Sequence, residues 1–201
     1  MKNYNKILIN FILVFSSIYA ESNIGADIVS RYVWRGTDYG NAAAIQPNIE
    51  INLASFTLGA WGSWSLSPGP YDATGNECDV YLSSNFGPVS ISLTDYFFPQ
   101  YNGSDSLFNL DKHTFELSGS IDTQSTSSLI ALNILGDDAN SVYYSFSYKA
   151  LTIGVGNGLY TQNGKFMPIS IGLNAQRDNL SVEYLVNPDS ETSFLVFGIN
   201  F

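Results

Sequence analysis

The fold is decided by a pattern that is clearest in residues 45–66, IQPNIEINLASFTLGAWGSWSL. Apolar and polar side chains alternate up to Leu53, and the alternation resumes after the dipeptide Ala54-Ser55. Successive side chains of a strand point to opposite faces, so period-two alternation is typical of a strand with one apolar and one polar face. The stretch therefore predicts two antiparallel strands joined by a tight turn.

The same pattern recurs through the rest of the chain, and no helical period is sustained over a useful length. Segments of alternating residues are separated by Gly, Pro, Asn, Asp and Ser, which are typical of turns. We predict an all-β protein of about twelve strands at residues 24–35, 43–53, 55–66, 76–86, 89–98, 112–121, 127–135, 142–149, 150–158, 167–176, 179–186 and 192–201.

The connections alternate between long and short. Long polar loops follow the odd-numbered strands, at 36–42, 67–75, 99–111, 136–141, 159–166 and 187–191. Short connections follow the even-numbered strands, among them Ala54-Ser55, Gly87-Pro88, Lys149-Ala150 and Arg177-Asp178. Long loops at one end, with tight turns and both termini at the other, are typical of bacterial outer-membrane barrels with up-and-down topology.

The composition agrees with a barrel that crosses a membrane. Charged residues make up 13% of the 201 residues, about half of the roughly 25% found in soluble domains. Strands can cross a bilayer only as a closed barrel, whose outer face has to be uncharged. The formal net charge of −10 excludes the basic footprint of a nucleic-acid binder. With Cys78 as the only cysteine and His113 as the only histidine, we expect no disulfide, no metal site and no cofactor.

The N-terminus predicts export from the cytoplasm. Lys2 and Lys6 precede an apolar stretch from Ile7 to Phe15, and a small residue, Ala20, follows. This order is typical of a secretory signal peptide. We therefore predict a signal peptide over residues 1–20 and a barrel over residues 21–201, located in the outer membrane of a Gram-negative cell.

The last strand carries a second signal. The chain ends in an aromatic residue, Phe201, and Phe197 and Ile199 precede it at every second position. This ending resembles the recognition sequence of outer-membrane barrel proteins for their assembly machinery. We expect that machinery, together with outer-membrane lipid and lipopolysaccharide, among the partners of the protein.

Several short blocks, most of them between residues 30 and 120, resemble a family of Gram-negative porin-type proteins, the TorF family or Gcw_chp domain. The blocks are Ser30-Arg31-Tyr32-Val33-Trp34-Arg35-Gly36, Gly59-Ala60-Trp61-Gly62-Ser63, the strand with Glu77, Asp79 and Tyr81, the pair Tyr96 and Pro99, and Glu116. The resemblance implies an outer-membrane barrel. It implies no particular substrate.

In most predicted strands, the alternation places the charged residues on the face that would line the inside of such a barrel. The predicted pore-lining set is Asp27, Arg31, Arg35, Glu50, Glu77, Asp79, Lys112, Glu116 and Glu183. Carboxylates outnumber basic groups in this set, and an acidic lumen favours cations. We expect Arg31 and Arg35 on one wall and carboxylates on another. Direct arginine–carboxylate pairs would instead close the lumen, because bidentate bonds hold both groups in place.

These patterns predict a porin-like channel for passive diffusion of ions and small polar solutes, with a weak preference for cations. We expect no enzyme, because the only candidate base, His113, lies on the apolar parity and outside any recognisable serine motif. Two alternatives remain. One is a structural or adhesive barrel that does not conduct, and the other is a soluble secreted β-barrel that binds a ligand.

Overall fold

The computed structural model describes residues 20–67, 76–99 and 106–201. These residues form fourteen strands and a short 3₁₀ helix, Leu110–Lys112. The strands are β1 Ala20–Val29, β2 Val33–Trp34, β3 Thr37–Asp38, β4 Ala44–Leu53, β5 Phe56–Ser65, β6 Glu77–Phe86, β7 Val89–Phe97, β8 His113–Asp122, β9 Thr126–Leu135, β10 Val142–Tyr148, β11 Leu151–Gly158, β12 Gly164–Arg177, β13 Leu180–Asn187 and β14 Thr192–Asn200.

Twelve of these strands close into one antiparallel barrel. Each barrel strand pairs with its neighbours along the chain, and β1 pairs with β14 to complete the circle. The predicted fold class, an all-β antiparallel barrel of about twelve strands, is thereby confirmed. The remaining two strands, β2 and β3, pair only with each other, in the connection between β1 and β4.

The connections separate by length as the sequence predicts. The tight turns after β4, β6, β10 and β12 each contain a residue with positive φ, namely Ala54 (56°), Gly87 (64°), Lys149 (52°) and Asp178 (55°). The longer connections and the β2–β3 hairpin lie at the other end of the strands. Much of the predicted loops 67–75 and 99–111, and residues 1–19 of the predicted signal peptide, lie outside the described residues.

The outer face of the barrel carries an apolar ladder. Five leucines in successive strands are register partners of one another, with exposed fractions between 38% and 46%: Leu58, Leu82, Leu93, Leu117 and Leu132. Apolar side chains thus ring the outside while polar side chains of opposite parity turn inward, the reverse of a soluble barrel. In the described part of the chain, none of the helical structure has the length and hydropathy that a membrane-crossing helix needs.

The barrel closes at a short, staggered seam between β1 and β14. Only Asp27, Ile28 and Val29 have register partners in β14, whereas β1 pairs with β4 along its whole length. Backbone hydrogen bonds extend the seam: Phe201 N–H donates to the carbonyl of Ala26 (2.9 Å), and Ser30 N–H donates to that of Phe197 (2.8 Å). The last residue of the chain therefore takes part in closing the barrel.

This seam predicts two separable roles for Phe201. Deleting it removes its backbone bonds to Ala26, whereas Phe201→Ala keeps those bonds and removes only an aromatic side chain that is 71% exposed. We expect the deletion to impair refolding in detergent, scored by heat-modifiable gel mobility. We expect Phe201→Ala to refold normally but to lower the folded yield in outer-membrane fractions several-fold. Wild-type yields for both variants would contradict the assembly role.

Candidate functional site

The first long connection folds into the barrel and does not extend its wall. The sequence predicts a first strand running through residue 35, but β1 ends at Val29. Residues beyond Ser30 contact inward-facing side chains on several sides of the barrel, including Glu77 on β6, Glu116 on β8 and Asn187 on β13. We call residues 31–41 the inner hairpin. The predicted placement of Arg31 and Arg35 on a wall strand is therefore wrong.

The tip of the inner hairpin is a two-residue turn with unusual backbone geometry. Arg35 and Gly36, which join β2 to β3, have φ values of +49° and +81°. Two consecutive positive φ values are typical of a type I′ turn, which favours Asn, Asp or Gly. The signal was present in the sequence as an X-Gly dipeptide between the strand formers Trp34 and Thr37. It was missed because the surrounding residues continue the alternation of the strand.

Gly36 brings the hairpin backbone against β12 and β13 of the barrel wall. A Cβ atom on Gly36 would overlap the carbonyl oxygen of Ile169, a residue of β12 that is fully buried. The carbonyl of Gly36 also accepts a hydrogen bond from the amide of Asn187 at 3.0 Å. The hairpin tip therefore fits the wall closely only when residue 36 has no side chain.

One side of the inner hairpin is held by an acidic pair on β6. Glu77 and Asp79 are 2% and 5% exposed, and their spacing of two residues places both on the inner face. The hydroxyl of Tyr32 donates to Glu77 Oε2 at 2.6 Å, and the Tyr32 ring lies 5.6 Å from the ring of Trp61. Among the described residues, Asp79 Oδ1 has no hydrogen-bond partner.

The other side is held by the side chain of Arg35, which reaches the inner face of β8. Its Nη1 and Nη2 atoms donate to the two carboxylate oxygens of Glu116 at 2.6 and 2.9 Å, a bidentate pair whose side chains are 6% and 2% exposed. Nη1 also donates to the hydroxyl of Tyr160 at 2.5 Å. The guanidinium carbon lies 4.1, 4.4 and 5.2 Å from the ring centroids of Trp34, Tyr143 and Tyr160. Arg35 thus occupies a cage of aromatic rings with a carboxylate in its wall.

Aromatic side chains fill the space around this ion pair. Trp34 lies 5.4 Å from Tyr96 and 6.1 Å from Tyr160, and Tyr39 stacks on Phe98 at 6.3 Å. A cleft of about 80 Å³ between these rings opens on the side of the long loops. Tyr96 and Tyr160 thus pack against the inner hairpin, to which Trp34 and Tyr39 belong.

Larger cavities lie on both sides of the inner hairpin. Toward the tight turns, cavities of about 460 and 290 Å³ share Val33, Trp34 and Glu183 in their lining. Toward the long loops, a cavity of about 340 Å³ lies between Gly36, Thr161 and Asp189. The inner hairpin therefore lies between two parts of the lumen that each contain a cavity.

Most of the predicted lumen residues face inward, although their role in a pore stays a prediction. Asp27 accepts a hydrogen bond from Asn200 at 2.7 Å, and Glu50 accepts one from Tyr81 at 2.7 Å. Arg31 pairs with Asp38 of the same hairpin at 2.9 Å. Lys112 differs from the expectation: it is exposed in the 3₁₀ helix that precedes β8, so it is not part of the strand.

The residues of the predicted assembly signal lie on the outer face. The exposed fractions of Phe197, Ile199 and Phe201 are 54%, 37% and 71%. These side chains are available to a lipid or to another protein, and their role in assembly also stays a prediction.

His113 is on the outer face, as its parity suggests, but it is buried. Its Nδ1 lies 2.8 Å from Asp95 Oδ1, and its Nε2 lies 2.8 Å from the carbonyl of Leu107. Both ring nitrogens thus meet acceptors, and the ring stacks on Phe97 at 4.8 Å. The described residues contain no group of three or more His, Cys, Asp or Glu side chains that could hold a metal ion.

Comparison with known proteins gives one match. Residues 16–182 match the model of a family described as "Bacterial protein of unknown function (Gcw_chp)". No curated protein and no solved structure matches the chain.

The close fit of Gly36 predicts a specific sensitivity to substitution. Gly36→Ala should destabilise the barrel more than Gly87→Ala, although both residues have positive φ. The left-handed conformation costs alanine about 1–2 kcal/mol at either site. Only at Gly36 does the added methyl group meet backbone, since nothing lies within 4 Å of a Cβ at Gly87. Thermal unfolding in detergent measures the difference, and equal midpoints for the two variants would contradict the tight fit.

Proposed function

Since the chain belongs to the Gcw_chp family, whose function is unknown, we propose that it is an outer-membrane barrel for the passive diffusion of ions and small polar solutes. The observation that carries the membrane location is the ladder of five exposed leucines around an inner face lined with polar and charged groups. Hydrocarbon is the solvent that favours such a surface. A soluble secreted barrel would need the opposite arrangement, with its apolar side chains packed inside.

The inner hairpin supports a pathway of low conductance. Cavities of about 460 and 340 Å³ on its two sides offer room for water and small solutes. The Arg35–Glu116 pair and the rings around it lie inside the barrel, between the inner hairpin and β8. Twelve strands lie between the eight that side chains fill and the sixteen to eighteen that leave a wide channel. Solute passage then requires either a narrow path beside the hairpin or its displacement.

The balance of charges supports a preference for cations. Six carboxylates have inward parity: Asp27, Glu50, Glu77, Asp79, Glu116 and Glu183. Of the basic groups in the predicted set, Arg35 is bound to Glu116 and Arg31 to Asp38, while Lys112 lies outside the strand. Unpaired carboxylates along an aqueous path lower the barrier for positive ions.

A second candidate function is a structural or adhesive barrel that does not conduct. The bidentate Arg35–Glu116 pair favours it, because such bonds hold both groups in fixed positions across the lumen. The two functions differ in a measurable way, since only the channel carries current.

The channel proposal predicts a selectivity that depends on inward-facing carboxylates other than the two that bond to the inner hairpin, Glu77 and Glu116. In planar bilayers with asymmetric KCl, the wild-type reversal potential should show a preference for K⁺. Glu50→Gln and Glu183→Gln should each move it toward zero. Glu191→Gln, in an exposed connection between β13 and β14, is the matched control and should leave it unchanged. Folded, heat-modifiable protein that never conducts would support the structural barrel instead.

The proposed location predicts which end of the barrel faces the cell exterior. A peptide tag inserted at residues 161–163, between β11 and β12, should bind antibody on intact cells. A tag in the Asp178–Asn179 turn should bind only after the outer membrane is opened. The opposite pattern would show that the orientation is reversed. If the antibody reaches neither tag in a membrane fraction, the proposed location is contradicted.

A further inference from the structure

We propose that the cage around Arg35 is a binding site for small guanidinium compounds, of which free arginine is the simplest test, and that the hairpin tip occupies this site when no ligand is present. The proposal deepens the proposed function, because it names a class of solute that the lumen recognises. It rests on the solute reaching the lumen and on the geometry of the cage, which is built almost entirely by residues outside the inner hairpin.

The groups that receive the guanidinium belong to the barrel wall and one of its loops. Glu116 comes from β8, Tyr143 from β10 and Tyr160 from the connection after β11. The hydroxyl of Tyr96 on β7 lies 3.2 Å from Glu116 Oε1 and orients that carboxylate. Of the close partners of the guanidinium, only the ring of Trp34 is supplied by the hairpin. The wall and this loop therefore supply the carboxylate and two of the three rings that a guanidinium group in place of Arg35 would contact.

The chemistry of the cage selects a guanidinium over an ammonium group. The two oxygens of Glu116 accept two parallel N–H bonds, a match to the planar fork of a guanidinium. The ring faces of Tyr143 and Tyr160 lie 4.4 and 5.2 Å from the guanidinium carbon, within the range of cation–π attraction. A lysine ammonium is a strongly hydrated point charge without the planar fork, so it satisfies this arrangement poorly.

The backbone shows that Arg35 is held in place by its side chain. Its φ of +49° is a left-handed conformation, which is unfavourable for residues other than Gly, Asn and Asp. An asparagine would suit the first position of the type I′ turn better. The contacts of the guanidinium with the wall thus offset an unfavourable local conformation, and a competing ligand would displace the Arg35 side chain while Tyr32 and Gly36 keep their own contacts with the wall.

The cage borders a cavity on each of its two sides. Arg35 and Tyr143 line the cavity of about 290 Å³ toward the tight turns, which also contains Glu183. Tyr96 and Tyr160 line the cleft of about 80 Å³ toward the long loops. A cationic solute in the first cavity would meet the carboxylate of Glu183 before that of Glu116, which is 2% exposed.

Competition with the tethered Arg35 sets the expected affinity. A group on a short tether acts at an effective concentration on the order of millimolar, so free arginine should bind the wild type only in that range. Arg35→Asn empties the cage while suiting the turn. Its affinity for arginine should rise by about tenfold or more, because the competing occupant is gone.

The test is calorimetric titration of the detergent-solubilised barrel with L-arginine, with L-lysine as the ligand of equal charge. We expect Arg35→Asn to bind arginine at least about tenfold more tightly than the wild type does, and to bind lysine weakly. Adding Glu116→Gln to Arg35→Asn should abolish the arginine signal. Absence of arginine binding by folded Arg35→Asn protein, or equal binding of arginine and lysine, would overturn the proposal.

A second variant keeps the test decisive if Arg35→Asn fails to fold. Arg35→Lys retains the charge in the cage but lacks the fork, so free arginine should displace it more easily than it displaces the native side chain. Arginine affinity no higher than that of the wild type would then overturn the proposal. The titration measures binding and does not depend on conductance. Arginine binding without conductance would support the binding site and contradict the channel. Conductance without arginine binding would support the channel and contradict the binding site.

Discussion

The structure depends on how the barrel closes. Only three residues of β1 have register partners in β14, because β14 ends at Asn200, opposite Asp27, and the chain turns inward after Val29. In hydrocarbon every backbone N–H and C=O has to be paired within the protein, so a barrel that loses a strand partway along its length has to compensate locally. Here the departing chain fills the lumen beside the seam, where Arg31 lies 5.7 Å from the ring of Phe194 on β14. The inward turn after Val29 thus ends the seam on the side of the long loops and brings residues 31–41 into the lumen.

The inner hairpin brings charge into the lumen and pairs it there. A buried ion pair is costly to desolvate and is stable only when its geometry is good and its remaining hydrogen bonds are made. Glu116 meets these conditions through two bonds from Arg35 and through the hydroxyls of Tyr96 and Tyr160. Breaking such a pair leaves a buried charge without a partner. The cage is therefore more stable when it holds a guanidinium group, either that of Arg35 or that of a ligand, than when it is empty.

At position 35 the residue present differs from the residues that the local backbone conformation favours. Arginine is an unfavourable choice for the first residue of a type I′ turn, and Gly36 beside it leaves no room for a side chain. Proteins break such local rules most often at functional sites, where contacts elsewhere compensate for the cost. The turn at Arg35-Gly36 is such a break, and its arginine lies among aromatic and charged side chains inside the barrel.

The sequence by itself determined the all-β class, the strand number, the inward or outward parity of residues such as Glu77 and Leu93, and which ends of the strands carry tight turns. These properties follow from period-two alternation and turn chemistry, which are local. Only the tertiary structure decided that residues 31–41 leave the wall and that Lys112 precedes its strand. Continued alternation from Ile24 to Arg35 is the same whether the chain stays in the sheet or turns out of it. Whether the chain stays in the sheet depends on whether a neighbouring strand is present to pair with it. A contact such as that between Arg35 and Glu116, which are 81 positions apart, leaves no trace in a local sequence pattern.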